Sequence, residues 1–388
     1  MDPENQQPGG TIASTGGEES HLEPVQPREN ERNPPEPPEY DRGGSWIFWG
    51  PEGLRAGWST FLFIVIMAAI LIGVGSALGA AHLIDRKAGF TPENMFFNEL
   101  DMLVALLGAA WAMTRIEHRD LLDYNLRGAR RPRHFLSGLL IGFAALSLLV
   151  GSMRAGGWLR FGTLALSGSA ILGYAAFWGV VFLMVGCVEE GTFRCYLQYT
   201  FTRGINFWWA LGLNAALCAD LAIRAKGNGV WGDYAIALLG LLPCYLLHQR
   251  RAERSSFWQA AWVTSTLFGF VHTGNGGENW VGIFSAAAIG FVFCVSLRVT
   301  GSAWWAIGAH AGWDWAETYF YGTPDSGVVA KGHLLSTTPM GNPLWSGGSD
   351  GPEGSLLILG VLVLLLLWLV AVYGRSSAIE TAGIGSRE

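Results

Sequence analysis

Long apolar runs alternate with short polar connections along most of the chain. Ten runs approach the roughly 20 residues that a helix needs to cross a bilayer. Their approximate limits are Trp58–Leu83, Phe97–Thr114, Phe135–Met153, Leu164–Gly186, Phe207–Ile223, Trp231–Leu247, Phe257–Val271, Trp280–Leu297, Ser302–Phe320 and Leu356–Tyr373. The pattern predicts an all-α fold, a polytopic transmembrane helix bundle with about ten membrane-spanning helices.

The first 45 residues have a different composition from the rest. They are rich in Pro, Glu, Gly, Asn and Gln and contain hardly an aliphatic residue. Such a segment cannot bury enough surface to offset the entropy of ordering, so we expect a disordered tail over 1–45. It also lacks the positive n-region and the apolar h-region of a signal peptide.

Overall composition supports the membrane assignment. The chain has 388 residues, of which 50% are hydrophobic and only 14% charged, and its mean hydropathy is +0.29. These values lie outside the usual range of soluble globular proteins. The formal charge of -6 is concentrated in the tail and loops and identifies no partner, and no nucleic acid is expected. The cysteines all fall in apolar stretches without metal-ligand spacing, which favours buried thiols over disulfides or a zinc site; they are Cys187, Cys195, Cys218, Cys244 and Cys294.

The basic residues of short loops indicate the orientation, because Lys and Arg accumulate on the cytoplasmic side. The loop from Arg115 to Arg133 and the loop from Arg250 to Arg254 are the richest in arginine, so both are expected inside, with a cytoplasmic amino terminus. The extramembrane loop 322–354 then lies outside. Six basic residues fall on the wrong side in this scheme: Arg86, Lys87, Arg154, Arg160, Arg224 and Lys226.

One apolar region carries two adjacent acids and an arginine, in the sequence CVEEGTFRCYL from Cys187 to Leu197. Charges at membrane depth are costly and usually mark function. In a helix, Glu190 and Arg194 stand at i,i+4 with the acid first, the favourable order for an ion pair. Glu189 lies about 100° around the helix from Glu190. We therefore expect Glu190 and Arg194 to neutralise each other and Glu189 to face another group.

Two later segments supply candidate partners for Glu189. In TLFGFVH, Phe268 and His272 are i,i+4, and in WWAIGAHAGWDW, His310 and Asp314 are i,i+4. A helix would present the His310 imidazole and the Asp314 carboxylate on one face. Each histidine alone could simply hydrogen-bond between helices, and acids with histidines could form a proton relay in a transporter. Together, a carboxylate base, a general acid or electrophile and an orienting acid are the groups that activate water against a carbonyl.

The ordered motifs EEGTFR, FGFVH and HAGWD resemble the CPBP family of intramembrane proteases. This family contains the type II CAAX prenyl endopeptidases and the bacteriocin-processing or Abi-like proteins, and its pattern is EExxxR, FxxxH and HxxxN or HxxxD. The resemblance implies 46–155 as N-terminal transmembrane helices, 156–321 as the catalytic membrane core and 355–388 as a last helix with a short tail. The core is longer than is usual in the family, which suggests a helical-hairpin insertion at about 205–254.

The resemblance implies hydrolysis of a peptide bond in a membrane-anchored protein or peptide. Glu189, helped by His272, would activate water, and His310 with Asp314 would stabilise the oxyanion. Asp314 stands where the prenyl endopeptidases carry Asn, and we expect it to act by holding one tautomer of His310. Glu190, Arg194 and Phe268 would support the site.

Two questions stay open at the level of the sequence. The reaction is expected to need no metal, but zinc held by Glu189, His272 and His310 is the alternative. The chain could also be a non-catalytic membrane protein that binds a peptide, toxin or protease, as immunity-type relatives are thought to do, and a proton-coupled transporter is a third possibility. The partners expected are the lipid bilayer and a membrane-anchored substrate, with no prediction of the oligomeric state.

Overall fold

The structure is a computed structural model that describes residues 47–50, 53–85, 90–205, 207–224, 255–325 and 327–384. The predicted disordered tail, the apolar run Trp231–Leu247, the loop from Arg250 to Arg254 and most of the predicted hairpin insertion lie outside the described residues.

Helices make up most of the described chain. In order they are α1 Ala56–Ala80, α2 Pro92–Glu117, α3 Arg131–Ala155, α4 Ser169–Glu190, α5 Gln198–Gly204, α6 Phe207–Arg224, α7 Ser255–His272, α8 Trp280–Thr300, α9 Trp304–Asp314, α10 Pro343–Ser346 and α11 Leu357–Ile384. Two π-helical segments, Gly191–Leu197 and Trp315–Tyr321, directly follow α4 and α9. Single 3-10 turns occur at Leu121–Asp123 and Pro352–Gly354.

Six helices of the described residues are long and apolar enough to cross a membrane. They are Ala56–Ala80, Pro92–Glu117, Arg131–Ala155, Ser169–Gly204, Trp280–Thr300 and Leu357–Gly374. The span Ser169–Gly204 is one continuous helical stretch of 36 residues that consists of α4, the first π-helical segment and α5. An all-α, integral membrane bundle is thereby confirmed, whereas the predicted number of ten crossings is not.

Helices α6, α7 and α9 correspond to apolar runs that were predicted to cross the membrane, but they are not among the six candidate spans. For α9 the reason is visible in the packing, because this helix has only 11 residues and most of its side chains are buried by protein. A short helix enclosed by its neighbours does not need the length that lipid contact would impose.

Close contact with α3 fixes the position of α9. Four glycines line this contact, two on each helix. A Cβ added at Gly138 or Gly142 would overlap the carbonyl oxygen of Trp305 or Ala309, and one added at Gly308 or Gly312 would overlap that of Phe135 or Leu139. Small residues let helix backbones approach to this extent. The contact holds the helix that carries His310 and Asp314.

Two short antiparallel sheets lie outside the helices. Strands β1 (Trp49–Gly50) and β2 (Gly53–Leu54) form one, and β3 (Leu159–Leu164) pairs with β4 (Leu335–Pro339) in the other, with Arg160 opposite Thr338. The apolar run that begins at Leu164 therefore starts as the end of a strand, and the helix itself starts at Ser169. The sheet fastens the predicted 322–354 loop to the segment between α3 and α4.

Contacts between loops identify the two ends of the bundle. At one end, the amide of Ala303 donates to the carbonyl of Asn125 (2.9 Å), and Tyr373 bonds Ser137 (2.9 Å). Leu54 also lies there, since its carbonyl accepts from Arg203 at 3.3 Å. We call this the arginine end, after the loop between α2 and α3. The opposite end holds the β3–β4 sheet and the loop before α8, and we call it the sheet end.

Candidate active site

The two acids of the EEGTFR motif lie where α4 changes its hydrogen-bonding pattern. Glu190 is the last residue of α4, and the next seven residues, including Arg194, are π-helical. A π-helical turn bonds residue i to i+5, which widens the turn, and such turns occur frequently at functional sites. The same change follows Asp314, the last residue of α9. Both motif helices therefore change conformation immediately after a candidate acid.

Glu190 and Arg194 form a fully buried ion pair. The Nε atom of Arg194 lies 3.2 Å from Oε2 of Glu190, and both side chains are 0% exposed. Aromatic rings surround the guanidinium, whose carbon lies 4.3 Å from the ring centre of Phe268 and 5.5 Å from that of Phe293. These faces attract a cation. Phe268 of the FGFVH motif thus supports the arginine of the EEGTFR motif.

Glu190 also bonds His310. Nδ1 of His310 lies 2.9 Å from Oε1 of Glu190. Since the other oxygen of Glu190 faces Arg194, the carboxylate accepts here and the imidazole donates from Nδ1. We expected Asp314 to fix the tautomer of His310. In the structure Glu190 makes the bond at Nδ1, so Glu190 orients the histidine as well as neutralising the arginine.

The second nitrogen of His310 faces two other acids. Nε2 lies 3.4 Å from Oδ2 of Asp314 and 3.7 Å from Oε2 of Glu189. The side chain of Glu189 is 31% exposed, whereas that of Glu190 is 0% exposed. The two adjacent acids therefore occupy different environments, Glu190 behind His310 and Glu189 in the open space in front of it.

His272, at the end of α7, has one nitrogen occupied. Its Nδ1 lies 2.7 Å from the carbonyl oxygen of Phe268, one turn earlier. A carbonyl can only accept, so the proton of the neutral ring is on Nδ1 and Nε2 is left as the basic nitrogen. The i,i+4 spacing thus lets His272 bond the backbone carbonyl of Phe268 and also places its ring beside the phenyl ring.

A cavity of about 330 Å³ brings these residues together. Glu189, His272, His310 and Asp314 all line it. The apolar part of its wall includes Phe182, Val185, Phe268, Ala286, Ile289 and Phe293. The cavity extends toward the sheet end as far as Asn275 and Val328, whose exposure of 45% marks its opening.

Three further acids line the cavity that the sequence argument did not select: Glu99, Asp325 and Glu353. Glu99 lies on α2, whose start is fixed by Thr91 accepting from the amide of Asn94 (3.3 Å) and by Pro92 in the first turn. Glu99 lies within an apolar run. The cost of a charge at membrane depth, which singled out Glu189 in the sequence, was therefore a signal for Glu99 as well. No comparable signal marked Asp325 and Glu353, because acids in loops are common.

Acids accumulate beside the cavity at the sheet end. The indole nitrogen of Trp313 donates to Glu317 (3.1 Å) and to Glu353 (2.8 Å). Burial and the neighbouring acids raise the pKa of Glu353 well above its usual value. Burial, reinforced by Glu278, raises the pKa of Asp350 to about 7, although the amide of Asn279 donates to this carboxyl at 3.0 Å.

The zinc alternative needs three protein ligands that converge on one position. Within the described residues, no group of three or more His, Cys, Asp or Glu side chains is placed to hold a metal ion. The ring nitrogens of His310 face acids on both sides, and Nδ1 of His272 is engaged by the backbone. Cys187, Cys195 and Cys294 carry free thiols, of which those of Cys195 and Cys294 are buried and that of Cys187 is partly exposed.

The geometry suits proton transfer at a polar bond. A partly exposed carboxylate, a histidine with a free basic nitrogen and an imidazole fixed by a buried acid meet around one space. A water or a carbonyl group in that space lies within reach of both a base and a donor, which are the requirements for general acid–base catalysis.

Comparison with known families gives one match. The family described as Type II CAAX prenyl endopeptidase Rce1-like matches residues 170–316. This segment runs from the start of α4 to just beyond α9 and contains Glu189, His272, His310 and Asp314. A search of the curated proteins and a search of the solved structures find no match.

Proposed function

Since residues 170–316 are those of a CPBP family intramembrane protease, we propose that the protein is an endopeptidase that cleaves a membrane-anchored protein or peptide, with Glu189 activating the attacking water. The observation that supports this most is the contrast between the paired acids. Glu190 is fully buried and contacts Arg194 and His310. Glu189 instead lines the cavity, where its carboxylate lies 3.7 Å from Nε2 of His310.

In the proposed reaction, Glu189 takes a proton from water while the water oxygen attacks the scissile carbonyl. Nε2 of His272 has a free lone pair and assists from the wall of the same cavity. The proton held by Glu189 then passes to the leaving amine. General-base assistance of this kind is typically worth about 10²–10⁴-fold in rate.

The developing oxyanion needs a donor, and we assign this role to the Nε2–H of His310 in its imidazolium form, which carries a proton on each ring nitrogen, so that Nδ1 still donates to Glu190. The carboxylates of Glu189, Glu190 and Asp314 around the ring favour this charged form. Glu190 holds the ring from the opposite nitrogen at 2.9 Å, so Nε2 points into the cavity. Asp314, 3.4 Å from Nε2, positions it. A single oxyanion donor is typically worth about 10²–10³-fold.

We propose that these steps need no bound metal. The support is the ligand geometry, since no three side chains of the described parts converge on one metal position. Glu189 would then supply by itself the basicity that a metal-bound hydroxide supplies in zinc peptidases.

We further propose that the arginine end faces the cytoplasm, which places the amino terminus inside. The support is a cluster of five arginines, of which Arg119, Arg127 and Arg130 lie in the loop between α2 and α3 and Arg131 and Arg133 lie in the first turn of α3. The cavity opens toward the opposite, sheet end. Its substrate would therefore be cleaved from the extracytoplasmic side.

Cleavage in isotope-labelled water tests the proposed reaction. Purified protein in liposomes, freed of metal by exhaustive chelation, is incubated in H₂¹⁸O with a set of membrane-anchored peptides, and the products are identified by mass spectrometry. We expect new carboxyl termini that carry ¹⁸O with the wild type and none with Glu189→Ala. A folded wild type that cleaves nothing would instead favour the non-catalytic binding protein.

A further inference from the structure

Glu99 is an acid on a membrane-spanning helix that the proposed reaction does not use. It lies on α2, outside the segment 170–316 that matches the protease family. It lines the cavity together with Met95, one helical turn earlier, and is 8% exposed. Ionisable residues inside a membrane protein usually face a cavity and mark function. The cavity therefore has an acid that the family match does not include.

The carboxyl group of Glu99 has no partner that would explain it by packing. Neither of its oxygens makes a hydrogen bond to another residue in the part of the chain that the structure describes. It interacts electrostatically with Glu189 and His310, which line the same cavity. Burying a polar group without a hydrogen bond is costly, and an apolar side chain of similar size would fill the position without that cost. The position of Glu99 therefore points to a role in the cavity.

The charges of the cavity favour a neutral Glu99. The described residues that line it include no lysine or arginine, and of the two histidines His272 is a neutral ring with its proton on Nδ1. The imidazolium of His310 alone does not balance Glu99, Glu189 and Asp314 together, and neighbouring carboxyl groups do not all ionise. The side chain of Glu189 is 31% exposed, whereas Glu99 is buried. The negative charge is therefore on Glu189, and Glu99 keeps its proton.

From this arrangement we infer that Glu99 is the acid that protonates the leaving amine. The inference rests on the proposed function, since it adds a residue to that reaction. As the bond between the carbonyl carbon and the nitrogen breaks, the nitrogen takes the proton from one oxygen of Glu99. The other oxygen of Glu99 takes the proton that Glu189 received from water. The water oxygen stays on the new carboxyl group, and both glutamates return to their initial protonation states.

A second acid suits amide hydrolysis because the attacking water and the departing nitrogen occupy different positions around the carbonyl carbon. Glu189 serves the water, and Nε2 of His310 serves the oxyanion. Nε2 of His272 carries a lone pair and cannot donate. Glu99 comes from α2, whereas the other groups come from α4, α7 and α9, so it can reach the nitrogen from a separate part of the wall.

Two substrates that differ only at the scissile bond test this role. Membrane-anchored peptides of one sequence carry either an amide or a thioester there. A thiol has a pKa of about 8.5, so a thiolate can leave without taking up a proton, whereas an amine cannot. We expect Glu99→Gln to lower kcat for the amide by about 100-fold and for the thioester by less than about threefold. Glu189→Gln should lose both activities, because each needs activated water.

Asp101→Asn is the matched control on the same helix. Asp101 is 6% exposed and does not line the cavity, and a Cβ added at Gly75 of α1 would lie 2.6 Å from its Oδ2. The same change from acid to amide should leave both rates unchanged. Glu99→Asp keeps the acid on a shorter side chain and should retain more amide cleavage than Glu99→Gln. Thermal unfolding controls for folding, and Glu99→Gln should be at least as stable as the wild type.

Infrared spectroscopy separates this inference from the proposed function, because it needs no turnover. In liposomes, we expect a C=O band of a protonated carboxyl group that disappears in Glu99→Gln, shifts in Glu189→Gln and is unchanged in Asp101→Asn. This band in a protein that cleaves neither substrate would contradict the proposed function while supporting the protonated Glu99. Absence of the band would overturn the role of Glu99. Amide cleavage by Glu99→Gln at the wild-type rate, or an equal loss on amide and thioester, would also overturn it.

Discussion

Glu190 connects two motifs that are 120 residues apart in the chain. One of its oxygens faces Arg194 at 3.2 Å and the other accepts from His310 at 2.9 Å. The ion pair with Arg194 compensates the charge of this buried carboxylate, and the hydrogen bond from His310 satisfies one of its two oxygens. The EEGTFR and HAGWD motifs therefore form one unit, in which the first motif sets the orientation of the histidine in the second.

Removing His310 and altering Asp314 should have unequal effects. His310→Ala removes the proposed oxyanion donor and should lower kcat by about 10²–10³-fold. Asp314→Asn should be milder, because an amide at this position can still hydrogen-bond Nε2, now 3.4 Å from the carboxylate. Steady-state kinetics on one cleaved peptide, with thermal unfolding as the control for folding, compares the variants. A larger loss in Asp314→Asn than in His310→Ala would contradict the assigned roles.

The sequence predicted relations within a helix well. The i,i+4 spacings of Glu190 with Arg194 and of His310 with Asp314 correspond to side chains in contact, because helical geometry fixes which residues share a face. The sequence did not predict the contacts between different helices. The bond between Glu190 and His310, and the presence of Glu99 in the cavity, depend on how α2, α4 and α9 pack.

At the scale of elements, the two π-helical segments are the feature that the apolar pattern did not reveal. Hydrophobic periodicity averages over several turns, and an i to i+5 bond over seven residues leaves that average almost unchanged. The strands β3 and β4 were also missed. Their pairing joins segments about 175 residues apart, and only the tertiary fold brings them together.

Two glycines of α3 provide a matched test of the helix contact that positions His310. A Cβ at Gly142 would overlap the backbone of Ala309, whereas nothing lies within 4 Å of a Cβ at Gly151. Gly142→Ala should destabilise the protein by about 1–3 kcal/mol or more and lower activity by displacing α9. Gly151→Ala should be neutral or stabilising by up to about 1 kcal/mol. Thermal unfolding in detergent measures both, and equal stability of the two variants would contradict the close contact.

Acids at the sheet end should make stability depend on pH. The pKa of Asp350 is raised from 3.8 to about 7, mainly by burial, so the folded state favours its protonated form. The stability that this group contributes is fully present below about pH 4 and is lost as the pH rises through 7. The unfolding temperature should therefore fall between about pH 4 and pH 7 and level off at higher pH.

Asp350→Asn should flatten this dependence, because an amide does not titrate and its oxygen can still accept from Asn279. Differential scanning fluorimetry at several pH values compares the two proteins. An unfolding temperature that rises with pH in the wild type, or an equal slope in the variant, would show that Asp350 is not a buried acid of raised pKa.

Considered as a whole, the described bundle concentrates its arginines at the arginine end, where acids such as Asp120 also lie, whereas the acids that line the cavity lie toward the sheet end. Arg154 and Arg160 are exceptions, since the end of α3 and β3 place them at the sheet end. Leu54 and Tyr373 both lie at the arginine end, so the two ends of the described bundle emerge on the same side. This agrees with an even number of crossings between them, although the sequence could not determine which apolar runs span the membrane.

Cysteine labelling tests the proposed orientation. Arg127 and Val328 are exposed, by 57% for the arginine side chain and 45% for the valine, and lie at opposite ends. In intact cells, a membrane-impermeant maleimide should label Val328→Cys and should label Arg127→Cys only after permeabilisation. The parent protein, whose described cysteines lie in the apolar bundle, is the control. The reverse pattern would place the cavity opening in the cytoplasm.

The adjacent acids allow the most direct measurement of the central claim, that Glu189 activates water while Glu190 holds the site together. Glu189→Gln and Glu190→Gln are compared for cleavage of the same membrane-anchored peptide and for thermal unfolding. We predict that Glu189→Gln keeps wild-type stability and loses cleavage, whereas Glu190→Gln is destabilised by about 3–5 kcal/mol because Arg194 is left buried without its counter-ion. A Glu189→Gln protein that cleaves as fast as the wild type would contradict the account.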